Sequence, residues 1–432
     1  MNTPKKLPTA TDDSALEQWL SYLESIHPSA IDMGLTRVKQ VAERLKLQFD
    51  NTLLITVAGT NGKGTTCRFL EQALLAQGKR VAVYGSPHLV SYRERVRFNG
   101  EWADSHAFCQ AFQAIEAARE EITLTYFEFG TLAAIKMMQD WQADVVILEV
   151  GLGGRLDATN ILDANLAVIT TIDLDHQDYL GDTREKIATE KAGIMRENGK
   201  AVIGELRPPD TLFASVNERN VDAVWAQKDF YSNGSAPLNQ QGQWDWQGKH
   251  SILNSLPAPH IPFQNVCTAL AALEAIEMLP SNAIIQNVIA NTRLPGRQQL
   301  LRNTPKVVVD VAHNPQATKA MLSWLQGFQA NKIHAVVGML KDKSIAETLA
   351  PLSQLNAQWY VASTEGARGC EADVLTSALE SAAVPASAIS RFNGVAPAYE
   401  SALKHCENNE LVLVFGSFIT VAAVMTHEHQ HS

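Results

Sequence analysis

Short apolar runs alternate with amphipathic stretches along most of this chain. The first run, Leu53 to Ala58, breaks into glycines and is followed by CRFLEQALLAQG, whose apolar residues have helical spacing. Comparable apolar runs occupy residues 80–84, 144–150, 165–172 and 201–204. Strands that alternate with helices form parallel sheets covered on both faces. The pattern therefore predicts an α/β protein.

A second series of the same kind begins after Pro295 and Gly296. VVVDVAHNP, HAVVGML, WYVAS and LVLVFGS are predicted strands, and TKAMLSWLQGF, SIAETLAPL and ITVAAVMTH are predicted helices. The segment 205–262 is the least regular, with small strands near QWDWQGKHSIL, and 263–278 is a helix opened by Asn265. We predict two domains, residues 1–295 and 296–432.

Several connecting segments allow two interpretations. The loop 27–34 either joins two N-terminal helices or contacts a ligand. Arg93, Arg95 and Arg97 recur at period two before Asn99-Gly100, which predicts a hairpin with either a solvated face or an anion-binding face. The final HEHQHS could bind metal, but a frayed tail is the favoured interpretation.

The glycine-rich turn after the first strand carries the clearest chemistry. Strand, glycine turn and helix form the context of a phosphate-binding loop, in which backbone N–H groups and the helix N-terminus face an anion. Lys63 would reach the phosphates, and Thr65 or Thr66 would face them or a magnesium ion. The spacing departs from GxxxxGK[ST] because Gly64 follows the lysine. The alternative is an ordinary βα turn.

Polar residues follow the other predicted strands, at the edge where ligands of α/β sheets bind. Ser86 is either a turn residue or a magnesium ligand, and Glu149 ends its strand as the metal-binding acid of phosphate-loop enzymes does. Residues 173–178 cluster three carboxylates with His176, a set that is hard to explain structurally and suits a metal. Lys191 is predicted near the middle of the next helix, 183–194.

Composition narrows the class of protein. A formal charge of −10 and a pI near 5.7 argue against nucleic acid as a general partner. The mean hydropathy of −0.10 and the lack of a long apolar run predict no membrane span, and MNTPKKLPTATDD lacks the apolar core of a secretory signal. The five scattered cysteines without a CxxC pair indicate reduced thiols in a cytoplasmic protein.

Several strings together resemble the folylpolyglutamate synthase/dihydrofolate synthase family of the Mur ligase superfamily, in its bacterial bifunctional form. They are AGTNGKGTT, SPHLVSYRERVRFNG, LEVGLGGRLDATN, DLDHQDYLG, TEKAGI, LPGR, DVAHNP and FGSF. The resemblance runs from residue 58 to 418 and is thinnest in the N-terminal tail and in 205–262. It implies a phosphate-loop ATPase domain followed by a smaller Rossmann-like α/β domain, and a monomer.

The resemblance also implies the roles of individual residues. The ATP-binding residues would be Gly59, Thr60, Asn61, Gly62, Lys63, Gly64, Thr65, Asn265, Arg297 and Asp310, the last two bringing the second domain onto the first. Ser86, Glu149 and His176 would bind magnesium, with a carbamylated Lys191 near a second ion. The residues expected to shape the pterin site are Asp32, Thr125, Tyr126, Phe127, Arg155 and Asp157. His313 and Ser417 would bind the incoming glutamate, and Lys63, Lys191 and His313 would be the catalytic residues.

The implied reaction is ATP-dependent amide formation. A carboxylate of dihydropteroate or a reduced folate would attack the γ-phosphate of ATP, and the amine of L-glutamate would then displace phosphate from the acyl phosphate. Dedicated folylpolyglutamate synthases and Mur-type amino-acid ligases are the enzymatic alternatives. Only 58 residues precede Gly59, which is short for the additional domain of the latter. A nucleotide-gated binding module without turnover is the alternative from another class.

Overall fold

The computed structural model describes residues 11–232, 242–328 and 330–431. The described helices are α1 (Asp13–Leu23), α2 (Thr36–Arg44), α3 (Lys63–Leu75), α4 (Ser105–Arg119), α5 (Tyr126–Trp141), α6 (Gln177–Leu180), α7 (Arg184–Ala192), α8 (Asp210–Glu218), α9 (Phe263–Ala275), α10 (Asn282–Asn291), α11 (Pro315–Leu325), α12 (Ile345–Leu349), α13 (Ala372–Ser381), α14 (Val395–His405) and α15 (Phe418–His431). Within these residues, no helix is both long enough and apolar enough to cross a membrane.

The described strands form three sheets. The strands are β1 (Leu53–Ala58), β2 (Val81–Tyr84), β3 (Val96–Phe98), β4 (Glu101–Trp102), β5 (Val145–Glu149), β6 (Leu166–Ile169), β7 (Lys200–Ile203), β8 (Asp222–Trp225), β9 (Tyr231–Ser232), β10 (Gln243–Gln247), β11 (Ile252–Pro257), β12 (Gln299–Asn303), β13 (Lys306–Asp310), β14 (Ile333–Val337), β15 (Ala357–Ala362), β16 (Ile389–Phe392) and β17 (Leu411–Phe415).

The chain divides into two compact units. The first comprises residues 1–172, 182–259 and 263–292, and the second comprises 173–181, 260–262 and 293–432. Residues 173–181, which follow β6, therefore belong to the second unit rather than to the unit that contains β6. The sequence-based division into 1–295 and 296–432 stays a prediction of domain boundaries.

The first unit is built on the sheet β4-β3-β2-β5-β1-β6-β7-β8. Six neighbouring strands of this sheet, β2, β5, β1, β6, β7 and β8, pair in parallel. The strands β3 and β4 add an antiparallel hairpin at the edge next to β2. The strand β5 is buried along its whole length, as expected of a parallel strand with both faces covered. On one face, α1, α2, α4 and α5 enclose a core that includes Trp19, Phe108 and Phe129.

The parallel strands of the first unit place their carboxyl ends at one edge. Because β1 lies between β5 and β6, the loops after these three strands meet there, at the point where the strand order changes direction. Helices α3 and α9 pack together and α9 also contacts β7. A smaller antiparallel sheet, β11-β10-β9, belongs to the same unit.

The second unit is built on the sheet β12-β13-β17-β14-β15-β16, which is parallel except for β12. Its core includes Val337, Trp359 and Phe415. Helix α11 begins with Asn314 as a side-chain cap and Pro315 in its first turn, a combination that fixes the start of a helix. The mixed α/β class predicted for both series is confirmed.

The structure corrects several local predictions. Lys191 lies in the last turn of α7 rather than near its middle, and Asn265 is the third residue of α9 rather than its opening residue. The predicted hairpin is present, but Arg93 and Arg95 lie in a 3₁₀ turn, Tyr92–Arg95, before β3. The segment 205–262 contains α8 and β8 besides the small strands. The C-terminal histidines continue α15 to His431 instead of fraying.

Candidate active site

The glycine-rich loop between β1 and α3 has a backbone that other residues would not tolerate. Gly62 lies in the left-handed region with φ +87° and precedes the first residue of α3. At Gly59, an added Cβ would collide with the hydroxyl of Thr170. The loop therefore turns tightly enough for the N-terminus of α3 to face a ligand bound over the loop.

The end of β6 holds this loop in place. The N–H of Thr60 donates to the carbonyl of Thr171 at 2.8 Å, and the N–H of Asn61 donates to the Thr171 hydroxyl at 3.0 Å. The hydroxyl of Thr170 donates to the carbonyl of Asn61 at 2.6 Å. Sequence reasoning missed both threonines, although hydroxyl residues at the carboxyl end of a predicted parallel strand were the available signal.

Side chains of the loop converge on its interior. Lys63 Nζ donates to the carbonyls of Gly59 at 2.9 Å and Thr60 at 3.2 Å. Asn265 of α9 donates to the Thr65 hydroxyl at 2.6 Å, and that hydroxyl donates to Gly62. The hydroxyl of Thr66 is buried without a hydrogen-bond partner. A buried hydroxyl without a partner in the first turn of α3 fits a bound phosphate, whose oxygens accept hydrogen bonds.

Ser86 lies two residues after the end of β2, and Glu149 ends the neighbouring strand β5. An added Cβ at Gly85 would come within 2.9 Å of Oε2 of Glu149, so the carboxylate lies directly against the backbone before Ser86. Glu149 is buried. A hydroxyl and a carboxylate at adjoining strand ends are oxygen ligands of the type that magnesium prefers. These two predicted metal ligands are brought together.

The second glycine-rich loop packs against the end of α7. An added Cβ at Gly154 would lie 3.2 Å from Cα of Lys191, which places the buried lysine beside this loop. Arg155 is half exposed and pairs with Glu190 at 2.8 Å.

Asp157 is engaged within the same loop. Its carboxylate accepts hydrogen bonds from the N–H of Leu152 at 2.8 Å and from the N–H and hydroxyl of Thr159 at 3.0 and 2.6 Å. Burial raises the pKa of Asp157 above its ordinary value. Asp157 therefore fixes the conformation of the loop, a role that the sequence did not suggest.

The predicted pterin residues Asp32 and Thr125 are linked through one arginine. Arg37 contacts Asp32 at 2.8 Å and Glu128 at 2.9 Å. Thr125 and Glu128 form a reciprocal capping box at the start of α5, with the Thr125 N–H donating to Oε2 of Glu128 at 2.7 Å. The loop 27–34 therefore joins α1 to α2 and is attached to the N-terminus of α5; its contact with a ligand stays a prediction.

Aromatic rings surround the first turn of α5. Phe127 lies against Gly151 of the glycine-rich loop and 6.1 Å from the ring of Tyr84. Tyr126 meets Tyr92 edge-on at 5.7 Å. Burial raises the pKa of Tyr126 to about 12, so this phenol stays protonated at neutral pH. Phe127 and the small residues of the loop offer a flat surface suited to stacking a ring.

Arg95 lies inside this aromatic group. Its guanidinium stands 5.0 Å from the Tyr92 ring centroid and 5.6 Å from that of Tyr126. Its Nε donates to Nδ1 of His88 at 3.0 Å. Burial, with the charge of Arg95, lowers the pKa of His88 to about 4, so the imidazole is neutral.

The second unit gathers its own set of predicted residues. The guanidinium of Arg297 lies 5.2 Å from the ring centroid of Phe418. Asp310 ends β13 and accepts from the N–H groups of Gln298 at 3.0 Å and Ala312 at 2.8 Å. Burial raises the pKa of Asp310, although the charge of Arg297 opposes this shift. The two ATP-assigned residues of this unit therefore lie within electrostatic reach of each other.

Asp175 organises a polar cluster near His313. Lys343 donates to Oδ1 of Asp175 at 2.7 Å, Asn314 donates to Oδ2 at 3.4 Å, and Nε2 of His313 lies 3.7 Å away. Burial disfavours its ionisation, but the hydrogen bond from His313 and the charge of Lys343 hold the pKa of Asp175 well below its usual range. Asp175 thus has structural partners, contrary to the expectation that its carboxylate cluster lacked a structural explanation.

His176 and Ser417 complete the predicted set. Nε2 of His176 lies 3.3 Å from Nζ of Lys343. His176 groups with the second unit, whereas the other proposed metal ligands belong to the first. Ser417 is buried, and its hydroxyl hydrogen-bonds that of Thr420 at 2.8 Å. Sequence reasoning missed Lys343; a lysine after a predicted parallel strand was the only signal.

Comparison with known proteins assigns the chain to a family. The Mur ligase middle domain matches residues 57–258, and the Mur ligase glutamate ligase domain matches residues 296–418. The dihydrofolate synthase/folylpolyglutamate synthase of Escherichia coli is 46% identical over 422 residues, covering 98% of this chain and 97% of that protein. The protein of the same name in Haemophilus influenzae is 42% identical and covers 95% and 96%.

The chain belongs to the dihydrofolate synthase/folylpolyglutamate synthase family of Mur ligases.

Solved structures agree with this assignment. E. coli FolC in complex with DHPP and ADP superposes with a TM-score of 0.91 at 44% identity, covering 96% of this chain and 98% of that one. The Yersinia pestis bifunctional enzyme complexed with AMPPNP and Mn ion gives 0.90 at 45% identity, covering 98% and 100%. This ligase is therefore an ATP-dependent enzyme that forms carbon–nitrogen bonds.

Proposed function

We propose that this ligase adds L-glutamate to dihydropteroate, giving dihydrofolate, and to reduced folates, giving folylpolyglutamates. The observation that carries the proposal is the 46% identity along nearly the whole length of a dihydrofolate synthase/folylpolyglutamate synthase. The phosphate loop, the Ser86–Glu149 pair and the aromatic surface at α5 supply the chemistry that such a reaction needs, all within the first unit.

In the first step, the acceptor carboxylate attacks the γ-phosphate of ATP. The loop Gly59–Thr65 would hold the phosphates, with Lys63 supplying a positive charge where the negative charge of the two reactants meets. Magnesium, when bound, neutralises phosphate charge, and Ser86, Glu149 and His176 would be its ligands. Lys191, as a carbamate, would supply a further anionic ligand close to the second glycine-rich loop, which contains Gly154.

Other residues would position the substrates. Phe127 would stack on the pterin ring, while Asp32, Thr125, Tyr126, Arg155 and Asp157 would define its surroundings. Asn265, Arg297 and Asp310 would contact ATP.

In the second step, the amine of glutamate attacks the acyl carbon and phosphate leaves. We assign His313 and Ser417 to the incoming glutamate, because both follow strands of the second sheet at its carboxyl edge. His313 Nδ1 donates to the carbonyl of Val311 at 2.8 Å, and Nε2 faces the carboxylate of Asp175 at 3.7 Å, so both contacts fix the orientation of the imidazole.

We infer that the enzyme works in the cytoplasm as a monomer. All five cysteines are free thiols, as expected in a reducing compartment, and the reaction consumes ATP. Size-exclusion chromatography with light scattering would test the monomer, and fractionation of cells would test the location.

Mass spectrometry of the products tests the proposed reaction. The protein is incubated with MgATP and glutamate, and with dihydropteroate in one sample and tetrahydrofolate in the other. Addition of one glutamate to dihydropteroate, together with extension of tetrahydrofolate, is the expected result. Extension alone would make it a dedicated folylpolyglutamate synthase. No addition in either sample would overturn the folate assignment and favour a Mur-type substrate.

A further inference from the structure

Arg95 is a buried cation without a carboxylate partner in the described part of the chain. Only 9% of the residue is exposed. The adjacent carboxylate, Glu94, is occupied by the N–H groups of three successive residues, from Leu89 to Ser91, at 2.8, 2.7 and 2.6 Å. Arg97, two residues on, pairs with the buried Glu71 at 3.0 Å. The two neighbouring carboxylates are therefore committed elsewhere.

The immediate neighbours of Arg95 are neutral. Nδ1 of His88 accepts a hydrogen bond from Nε of Arg95 at 3.0 Å, so the imidazole is neutral and adds no negative charge beside the guanidinium. The rings of Tyr92 and Tyr126 attract the cation through their faces but leave its charge uncompensated. Burying an unpaired charge is costly, and proteins keep one where a ligand of opposite charge completes the site.

The location of Arg95 connects the two groups of residues that the proposed function assigns. Its backbone carbonyl accepts from the N–H of Gly85 at 2.8 Å, directly before Ser86. Its side chain lies against Tyr126, directly before Phe127. An acceptor whose ring stacks on Phe127 and whose reacting group approaches Ser86 would pass this guanidinium.

We propose that Arg95 binds the carboxylate of the pteroate-type acceptor and orients it toward the phosphate loop. The planar guanidinium presents paired N–H donors that match the two oxygens of a carboxylate. The inference rests on the proposed function, because it takes the acceptor to be an anionic pterin derivative. Arg95 acts in this proposal as a binding residue that holds the reacting group.

Isothermal titration calorimetry with two probes tests the proposal in the presence of MgADP. The probes are pteroate and its neutral carboxamide, which differ only in the charge that Arg95 would bind. Arg95→Gln is expected to weaken pteroate binding roughly 10- to 100-fold and to leave carboxamide binding unchanged. Arg95→Lys, which keeps the charge without the paired donors, is expected to lose less pteroate affinity than Arg95→Gln.

Arg93→Gln is the matched control, because Arg93 lies in the same 3₁₀ turn and donates to a neutral carbonyl, that of Ala103, at 2.8 Å. It should bind both probes as the wild type does. Equal losses of affinity for both probes in Arg95→Gln would mean that Arg95 only supports the aromatic group. No loss of affinity would mean that Arg95 contacts no carboxylate. Either result overturns this inference and leaves the proposed function standing. Failure of the wild type to bind either probe would overturn the proposed function together with the inference.

Discussion

At the scale of single residues, Lys63 lies across the glycine-rich loop to which it belongs. Its ammonium group bridges the carbonyls of Gly59 and Thr60 and so spans the interior of the turn. A lysine held there adds a fixed positive charge to the backbone N–H groups and the helix N-terminus. Such a preorganised charge contributes most where negative charge accumulates in the transition state.

Replacing Lys63 by alanine should therefore remove activity without unfolding the protein. We expect Lys63→Ala to lose at least about 10²–10³ in turnover, because a preorganised charge is lost. Product formation by mass spectrometry and the melting curve by circular dichroism measure the two effects. Lys186→Ala, which removes a mostly exposed lysine paired with Asp182, is the control. A folded Lys63→Ala enzyme with near-normal ligation would show that the loop does not serve ATP.

Glu71 illustrates a buried charge with a structural role. It is fully buried in α3 and pairs with Arg68 at 2.8 Å and with Arg97 at 3.0 Å, which joins α3 to β3. Glu71→Gln would leave two guanidinium groups facing a neutral amide. Breaking a buried pair of this kind costs about 3–5 kcal/mol of the free energy of unfolding.

Urea unfolding of Glu71→Gln measures that cost. The exposed Glu197 provides the control, since Glu197→Gln should change stability by less than about 0.5 kcal/mol. If Glu71→Gln also lowers the free energy of unfolding by less than about 0.5 kcal/mol, then Arg68 and Arg97 find other partners in the variant.

Single residues also show where sequence reasoning reaches its limit. The glycines and lysine of the phosphate loop are adjacent in sequence, so their chemistry could be predicted. The contacts of Thr170 with Asn61 and of Asn265 with Thr65 join residues separated by 109 and 200 positions. No local pattern encodes such a pair. The same is true of Lys343 and Asp175, whose contact gave that carboxylate its structural explanation.

At the scale of elements, α5 carries much of the predicted pterin site, and its first turn is fixed by a capping box. The Thr125 hydroxyl accepts from the N–H of Glu128 at 3.2 Å, while Glu128 also holds Arg37. Thr125→Ala should lower the free energy of unfolding by about 1 kcal/mol through the lost cap.

Thr125→Ser distinguishes the contribution of the capping hydroxyl from that of the packed methyl group. Serine keeps the hydroxyl and loses only the methyl group, so chemical denaturation should find it close to the wild type. If serine and alanine destabilise the protein equally, the methyl group rather than the cap stabilises this turn.

Elements with a strong periodic or continuous apolar pattern could be predicted, and short or partly exposed ones could not. The buried strands β1, β5 and β17 are continuous apolar runs, as parallel strands with covered faces require. The edge strand β12 alternates exposed and half-buried residues without an apolar run, so it gave no signal.

Helix α15 is the opposite case. Its histidine-rich end looked like a tail, yet α14 packs against it and Tyr399 of α14 donates to Glu428 at 2.9 Å. A tertiary contact therefore extends a helix that its sequence alone would not have continued.

At the scale of the whole molecule, the residues assigned to ATP belong to two compact units with separate cores. Lys63 lies in the first unit and Arg297 in the second. A ligand that binds the folded protein raises its stability by about 2.7 kcal/mol at a concentration of 100 times Kd. For units of this size, that gain raises a melting transition by roughly 5–10 °C.

Scanning calorimetry with and without MgADP tests whether both units contribute to nucleotide binding. We expect the ADP-dependent rise in Tm to shrink in Lys63→Ala and also in Arg297→Ala, each compared with its own ligand-free melting curve. Arg302→Ala is the control in the second unit, because Arg302 is exposed, pairs with Glu428 at 3.5 Å and has no assigned role. A full rise in Arg297→Ala would remove Arg297 from the nucleotide site, since a residue that contacts ADP cannot be lost without weakening its binding. A full ADP-dependent rise in Tm in Lys63→Ala would instead show that the phosphate loop does not bind the nucleotide. The basis for assigning ATP to the first unit would then be lost.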